Sequence, residues 1–501
     1  MRTWLCVAAL LILPLLVYWP TVTYEYGFRD DYAHLREVRE RPGWLTTLTT
    51  AHGRPVYGAA LEASLQRVER VTDLTVLRAI SAVLVGIVAV LLWWQLRRSG
   101  WTDLQAATFG AAVTLLPGAQ VVVGWAIAWP VALGLVAALA GFALVERGFA
   151  RTGRARAALV TAGGLLYVIA GTTYQTSALF AVVPLVAVLL LREGTTTKGD
   201  ALWTTAHIGV LFVALVAGFL AATALVTPGA VPEATRTTLE PDIWRKFLWF
   251  LRNPLPNSIG LFALRDRFAT PLWFWFVVAG VVAIMVMGFL YGAKTSQQRL
   301  RWLVAALLLP FVAHSVSLAA SSQAIGYRTL LPLSGLFLVL TMFGLRAIAA
   351  RHRVPRTVQA GMLAGVLVVL ALVAQRNPLA LIAEPQGREW KLVQAAASRV
   401  RLTSDTQIYV IRPTIDYRST ERVYADEYGT LSADADWAAK EMFKAAMRER
   451  FPSGLPQNTA YTLWTGSGQP PMEYSYDLVV DLQELRNLGE RAPAQTTASQ
   501  R

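Results

Sequence analysis

The chain carries no formal charge from residue 104 to residue 145, where it reads LQAATFGAAVTLLPGAQVVVGWAIAWPVALGLVAALAGFALV. A helix of about 20 apolar residues crosses a bilayer core about 30 Å thick. These 42 residues are therefore long enough for two spans, and Pro117-Gly118 predicts a tight turn between them. The stretch indicates a protein that crosses a membrane more than once.

The rest of the chain continues this pattern. Apolar residues make up 55% of the 501 residues and charged residues only 16%, whereas a soluble globular protein carries about a quarter. The single cysteine, Cys6, excludes an intramolecular disulfide and a cysteine-based metal cluster. Together with the two helices above, nine further spans predict an α-helical polytopic membrane protein with about eleven transmembrane helices. They lie at 4–19, 79–96, 157–191 (two spans, with a polar break at 172–175), 203–226, 272–291, 302–319, 329–345 and 358–374.

Lys and Arg are concentrated in alternate loops, at 97–98, 147–156, 192–198, 294–301 and 346–356. The short loops between them, near 118–124, 171–175 and 320–326, contain neither residue. Positively charged loops are retained in the cytoplasm. We therefore expect a multi-pass protein of the bacterial cytoplasmic (inner) membrane with a cytoplasmic N-terminus. An odd number of spans then places the C-terminus on the periplasmic or extracellular side.

The orientation divides the chain into two predicted domains. Residues 1–375 form a transmembrane module with outer loops at about 20–73 and 227–270. Residues 376–501 form an outward-facing soluble α/β domain, with helical periodicity at 388–401 and 436–451, short strands at 407–411, 461–464 and 476–482, and a frayed end after about 489. This tail has a net charge of −1, so the +14 of the whole chain comes from the membrane part. Orientation explains that basicity, and no nucleic-acid partner is expected.

An acidic pair, Asp30-Asp31, follows the first predicted span by about ten residues, close to the outer membrane surface. Two adjacent carboxylates can take a proton from a hydroxyl or hold a divalent cation. Tyr32, Leu35 and Val38 recur every three residues behind the pair and predict a helix that lies in the membrane interface. In an outer loop, such a pair is more often a solvated helix cap, and the motif alone leaves both interpretations open.

Two basic positions face the same predicted surface. The sequence His52-Gly53-Arg54-Pro55 predicts a turn that presents Arg54. The sequence Gln323-Ala324-Ile325-Gly326-Tyr327-Arg328 begins a span at its outer end. An Arg at that depth marks a functional site, although it can also extend to the interface without a function.

The order of a membrane anchor, an acidic pair, an amphipathic helix and a many-span bundle resembles the GT-C superfamily of membrane glycosyltransferases, which use polyprenyl-phosphate-linked sugars. The stretch Asp30-Asp31-Tyr32, Arg36 and Gly53-Arg54-Pro55 looks most like the bacterial branch of O-antigen-modifying glucosyltransferases. The local motif covers about residues 25–60, and the architectural likeness covers about residues 1–375. The outward tail matches no module of that branch.

The resemblance implies a GT-C-like fold and an inverting glycosyltransferase that moves a sugar from a polyprenyl-phosphate donor to a glycan or lipid acceptor on the outer face. Asp30 and Asp31 would be catalytic, as the base or as ligands of a divalent cation such as Mg²⁺ or Mn²⁺. Expected partners are this donor, the acceptor and membrane lipids. The residues expected to bind the substrate or the lipid phosphate are Arg54, Arg328, Arg36, His52, Tyr327 and Gln323.

Two other functions remain open. A transporter or flippase of a lipid-linked saccharide usually has broken helices in related halves and ionisable groups near the middle of the bilayer. Here the predicted spans are almost free of charge and the acidic pair lies outside them, which favours an enzyme. A non-catalytic assembly protein whose tail binds a partner is the third possibility.

Overall fold

The computed structural model describes residues 2–226, 238–267, 271–323, 325–413, 423–424 and 427–483. These residues form a helical bundle with a small α/β domain at one side. The helices are α1 Arg2–Thr23, α2 Asp30–Glu40, α3 Trp44–Ala51, α4 Pro55–Leu65, α5 Leu74–Arg98, α6 Asp103–Thr114, α7 Pro117–Gly124, α8 Trp129–Phe149, α9 Gly153–Thr173, α10 Gln175–Ala178, α11 Val182–Leu189, α12 Thr197–Ala224, α13 Ile243–Arg252, α14 Pro254–Ile259, α15 Leu272–Gly292, α16 Ser296–Leu303, α17 Leu309–Ala313, α18 Ser315–Ala319, α19 Tyr327–Arg351, α20 Arg356–Pro378, α21 Glu384–Arg399 and α22 Asp436–Arg450. The strands are β1 Thr406–Ile411, β2 Tyr461–Gly466 and β3 Leu478–Asp481.

The predicted polytopic helical class is confirmed. In the described part of the chain, eight helices are long and apolar enough to cross a membrane, and nine if the bent pair α6–α7 is one span. All eleven predicted segments are helical, but three of them are not single long helices, one of which is the bent pair α6–α7. The apolar helix Gln175–Leu189 is shorter than a full span, and residues 296–319 are divided among α16, a π-helical turn, α17 and α18.

The turn predicted at Pro117-Gly118 is a bend. The axes of α6 and α7 differ by 53°, and the next long helix begins only at Trp129. Proline fits the first turn of a helix, because the N–H that it lacks would have no partner there. Pro117 is the first residue of α7 and therefore starts a new helix at an angle to the old one.

Two of the basic loops predicted on one side of the membrane meet in the structure. The buried carboxylate of Asp200 accepts from Arg301 at 2.6 Å and from Arg192 at 3.2 Å. These contacts join the loops at 192–198 and 294–301. These two loops therefore lie together, while the membrane orientation itself stays a prediction.

The C-terminal α/β domain is also confirmed as a structural element. Its three strands form a parallel sheet in the order β2-β1-β3. Helix α21 continues from α20 through a π-helical turn at Leu379–Ala383, and α22 packs against α21. The frayed end predicted after about residue 489 lies outside the described residues, as does part of the predicted loop 227–270.

The apolar face of α2 does not face lipid, as it would in an interfacial helix, and the position of α2 relative to the membrane stays a prediction. The apolar face of α2 is buried inside the protein: Tyr32 and Leu35 are 0% exposed and Val38 is 2% exposed. The Tyr32 ring lies 5.5 Å from the ring of Trp390 in α21, and α2 packs against α22. The apolar residues that recur along α2 therefore pack against the α/β domain, which covers this face of the helix.

Candidate active site

The acidic pair occupies the first turn of α2. Arg29 precedes it in the left-handed region, with a φ of 44°, which a non-glycine residue adopts only when its surroundings hold it there. Asp31 is fully buried. Its carboxylate accepts from the main-chain N–H groups of Phe28 at 2.8 Å and Ile127 at 3.2 Å. Asp30 is only partly buried, so the two neighbouring carboxylates lie in different environments.

Burial raises the pKa of Asp31 to about 7, although its two main-chain hydrogen bonds and the charge of Arg78 act in the opposite direction. A carboxylate surrounded by protein loses its hydration, which disfavours the charged form. The charge of neighbouring Asp30 raises this pKa further. Asp31 therefore changes its protonation state near neutral pH.

Arg78 fixes the chain that leads to the acidic pair. Its guanidinium group, fully buried, donates to the carbonyl oxygens of Tyr24 at 2.7 Å, Tyr26 at 3.0 Å and Val22 at 3.3 Å. It also lies 4.1 Å from the ring of Tyr26. The sequence motifs did not single out Arg78, which directly precedes the predicted span at 79–96. The available signal was a single charge at the start of a long apolar segment.

The turn predicted at His52-Gly53-Arg54-Pro55 is present. Gly53 has a φ of 75°, and a Cβ atom there would lie 2.6 Å from the ring of Phe219. The side chain of Gln175 donates to the carbonyl oxygen of His52 at 2.8 Å and accepts from Nε of Arg54 at 2.7 Å. The Arg54 guanidinium also lies 4.3 Å from the ring centre of Tyr174. The turn therefore holds Arg54 in one orientation.

Arg328 is the second residue of α19, and its guanidinium lies 4.4 Å from the ring centre of Trp125. It also forms an ion pair with Glu427 of the C-terminal domain. The ring of Phe28, three residues before Asp31, packs edge-on against the same Trp125 ring at 5.1 Å. Trp125 therefore contacts both Arg328 and the segment that leads into the acidic pair.

Tyr57 lies among the charged groups of both motifs. Its hydroxyl donates to the carbonyl oxygen of Ile127 at 2.9 Å. Burial raises the pKa of Tyr57, the charges of Arg328 and Arg54 lower it, and the charge of Asp30 raises it. Three charged side chains that are far apart in sequence therefore lie near enough to Tyr57 for their charges to act on its hydroxyl.

A cavity of about 690 Å³ lies beside these groups. Its polar lining comes from helix ends on the side of the bundle that carries the α/β domain, and includes His52, Arg54, Gln175 and Arg328. Its apolar wall is a face of α12 spanning residues 212–220, which is about 12 Å at 1.5 Å per residue. Five α12 side chains form this wall: Phe212, Leu215, Val216, Phe219 and Leu220.

The apolar wall is continuous with the outer surface of the bundle. Val216 is 55% exposed and Leu220 is 60% exposed, on a helix long and apolar enough to cross a membrane. In a bilayer these side chains contact lipid. The cavity is therefore open along an exposed apolar face of a candidate membrane-spanning helix, and its guanidinium groups come from residues at the N-terminal ends of α4 and α19.

Three expected binding residues lie elsewhere. Arg36 points to the C-terminal domain, where its Nε donates to Glu441 at 2.5 Å. Tyr327 is buried, and its hydroxyl accepts from the main-chain N–H of Arg265 at 2.9 Å. Gln323 lines a different, shallower hollow beside α13. Their positions in the sequence, beside the acidic pair or beside Arg328, led to the prediction. In the structure, each of these side chains points away from the cavity.

Of the two carboxylates in the acidic pair, Asp30 is the main ligand available to a divalent cation. Both Asp31 oxygens already accept main-chain hydrogen bonds. Among the described residues, no three His, Cys, Asp or Glu side chains converge as metal ligands. A bound Mg²⁺ or Mn²⁺ would need further oxygen ligands from water or a substrate phosphate. The divalent cation stays a prediction.

Comparisons with known proteins give only a distant likeness. No protein-family model matches the chain, and no curated protein matches it. Among solved structures, it is similar to the apo oligosaccharyltransferase of Archaeoglobus fulgidus, with a TM-score of 0.46 and 12% identity over 89% of this chain and 63% of that one. It is also similar to the oligosaccharyltransferase AglB of the same organism, in complex with an inhibitory peptide and a dolichol-phosphate, with a TM-score of 0.43 and 12% identity over 89% of this chain and 64% of that one.

The chain thus spans less than two thirds of the length of each of these two solved structures. The cavity and its charges, rather than this distant likeness, support the function proposed below.

Proposed function

We propose that the protein is an inverting glycosyltransferase that moves a sugar from a polyprenyl-phosphate donor to a glycan or lipid acceptor on the outer face of the bacterial cytoplasmic membrane. One observation carries the proposal. A cavity of about 690 Å³ combines two guanidinium groups at its polar end with an apolar wall on a lipid-exposed helix. The acidic pair does not line this cavity; it begins α2, and Phe28 just before it packs against Trp125, which Arg328 also contacts.

The two parts of the cavity match the two parts of a lipid phosphate. Arg54 and Arg328 present planar groups whose donors fit phosphate oxygens in pairs. The α12 wall can bury part of an isoprenoid chain, which is favourable by about 25 cal/mol per Å² of apolar area removed from water. A water-soluble nucleotide sugar would leave that wall uncovered. The donor we propose therefore carries its sugar on a phosphorylated lipid.

The transfer is a single displacement at the anomeric carbon. The acceptor hydroxyl oxygen forms a bond to that carbon, its proton passes to a carboxylate, and the bond from carbon to phosphate oxygen breaks with its electron pair. We assign the carboxylate to Asp30, because it is the more exposed of the pair. Arg54 and Arg328 stabilise the negative charge on the departing lipid phosphate, and attack from the opposite face inverts the carbon.

The test uses the full-length protein in proteoliposomes with a panel of polyprenyl-phosphate hexoses and a cell-envelope extract as the source of acceptor. The measurement is release of free polyprenyl phosphate. General base catalysis typically contributes 10²–10⁴-fold, so Asp30→Asn should lower the rate by about that factor. The control is Asp103→Asn, a carboxylate with 68% of its side chain exposed in the N-terminal turn of α6.

An Asp30→Asn variant as active as the wild type would remove the assignment of the base. Absence of release with every donor, together with movement of lipid-linked saccharide across the liposome membrane, would instead favour the flippase.

A further inference from the structure

One short segment of the C-terminal domain, residues 427–434, contacts both charged parts of the proposed site. We infer that this anchor segment positions the acidic pair relative to Arg328, which makes the C-terminal domain part of the active site. The inference rests on the proposed function. It also assigns a role to the outward tail, which the sequence resemblance leaves without one.

At the acidic end, the anchor segment holds Arg29, the residue directly before Asp30. The hydroxyl oxygen of Ser432 accepts from the main-chain N–H of Arg29 at 2.8 Å. The carboxylate of Asp434 accepts from the Arg29 guanidinium at 3.0 Å. Arg29 has a φ of 44°, a conformation that a non-glycine residue keeps only when its surroundings fix it. These two contacts therefore determine where α2 begins and where its first carboxylate lies.

The anchor segment is itself fixed from behind by α21. Glu389 accepts from the main-chain N–H groups of Ser432 and Ala433, each at 3.0 Å. Gln386 accepts from the Ser432 hydroxyl at 2.6 Å. All four residues are fully buried. The Ser432 hydroxyl is thus both donor and acceptor, and it cannot turn away from Arg29 without losing a buried hydrogen bond.

At the cationic end, Glu427 forms an ion pair with Arg328. The next residue, Tyr428, is fully buried and donates from its hydroxyl to the carbonyl oxygen of Pro117 at 2.8 Å. It thereby fixes this end of the segment against the bend between α6 and α7. Eight consecutive residues thus connect Arg29 with Arg328.

A displacement of about 1 Å between reacting groups can lower a rate about 10²-fold without any change in the groups themselves. Loss of the contact between Asp434 and Arg29 frees the start of α2, while Arg54, Arg328 and the α12 wall stay in place. The transfer rate should therefore fall while binding of the lipid phosphate is unchanged. If Asp434 had a purely structural role, the transfer rate and the binding of the lipid phosphate would instead both fall in proportion to the amount of folded protein.

The test compares Asp434→Ala with Glu441→Ala in the full-length protein. The two side chains are each 11% exposed, and each pairs with an Arg of the first loop, Asp434 with Arg29 and Glu441 with Arg36. Only Arg29 adjoins the acidic pair. We measure kcat for polyprenyl phosphate release, KM for the donor, the Kd for undecaprenyl phosphate and the thermal unfolding midpoint.

Asp434→Ala should lower kcat at least about tenfold, with KM and Kd within about twofold of the wild type. Glu441→Ala should leave kcat, KM and Kd unchanged. Equal kcat values for the two variants would overturn the inference. Arg29→Gly is the second variant: glycine accepts a positive φ, so the fold is kept, but the guanidinium contact is lost. Wild-type kcat in Arg29→Gly would also overturn the inference. A wild-type protein that neither releases nor binds polyprenyl phosphate refutes the proposed function itself.

Discussion

Replacing Arg328 by Gln should affect both stability and lipid binding. Its partner Glu427 has a side chain only 6% exposed, whereas that of Arg328 is 21% exposed. Removing one member of a buried ion pair costs about 3–5 kcal/mol, because the other charge stays behind without compensation. Because Arg328 is partly exposed, we expect the lower end, about 3 kcal/mol. The thermal unfolding midpoint of Arg328→Gln in detergent should fall accordingly.

The same substitution should weaken binding of the lipid phosphate. A hydrogen bond to a charged group contributes about 1.5–3 kcal/mol, and each 1.4 kcal/mol is about a factor of ten in affinity. We therefore expect undecaprenyl phosphate to bind to Arg328→Gln about 10- to 100-fold more weakly in nanodiscs. The stability loss could produce part of that effect, so a matched variant is required.

The double variant Arg328→Gln/Glu427→Gln separates the two effects. It leaves no unpaired carboxylate, so stability should return to within about 1 kcal/mol of the wild type through a neutral hydrogen bond. Binding should stay weak, because the guanidinium is still missing. Wild-type affinity in the double variant would refute Arg328 as a phosphate ligand. Wild-type stability in the single variant would refute the buried ion pair.

Three further predictions follow from the acidic pair, the turn and the cavity wall. The pKa of Asp31 is raised to about 7, so the folded protein binds more protons than the unfolded chain between about pH 4 and 7, and stability falls as pH rises through this window. Asp31→Asn should flatten that fall by up to about 4 kcal/mol, and an unchanged pH slope in thermal unfolding would contradict this. Gly53→Ala should cost at least about 1–2 kcal/mol for its positive φ and reduce polyprenyl phosphate release. Gly209→Ala, whose added Cβ meets no atom within 4 Å, should be neutral. Equal effects of the two substitutions on stability and release would exclude a specific role for the turn at Gly53. Val216→Trp should weaken binding of undecaprenyl phosphate but not of geranyl phosphate, and equal losses for both would show that the α12 wall does not hold the chain.

The fold could be predicted largely from hydrophobic patterning. Each predicted span is helical because a long apolar segment in lipid must satisfy its backbone hydrogen bonds internally. The short strands β1 to β3 and helices α21 and α22 fall where periodicity places them. The errors concern the continuity of the helices: residues 302–319 have the composition of a span but contain a π-helical turn and short helices. Composition records whether a segment is apolar and does not record where its helix breaks.

The candidate site could be predicted only in part. The acidic pair and Arg54 were found because each lies in a short motif of unusual residues. Arg36 was placed with them because it follows at helical spacing, yet it pairs with Glu441. Arg78 was missed, although it fixes the chain before the pair through three carbonyl oxygens.

The sequence by itself determined that the chain forms a helical membrane bundle with an α/β domain and carries an acidic pair after its first helix. Those features depend on local composition and periodicity, because each side chain favours water or an apolar environment according to its own polarity. Only the tertiary structure decided which charges share a site. Arg54, Arg328 and Asp30 are separated by up to about 300 residues, and their charges act on Tyr57 because of how the helices pack. Electrostatic interaction falls off with distance in space, and a sequence gives only distance along the chain.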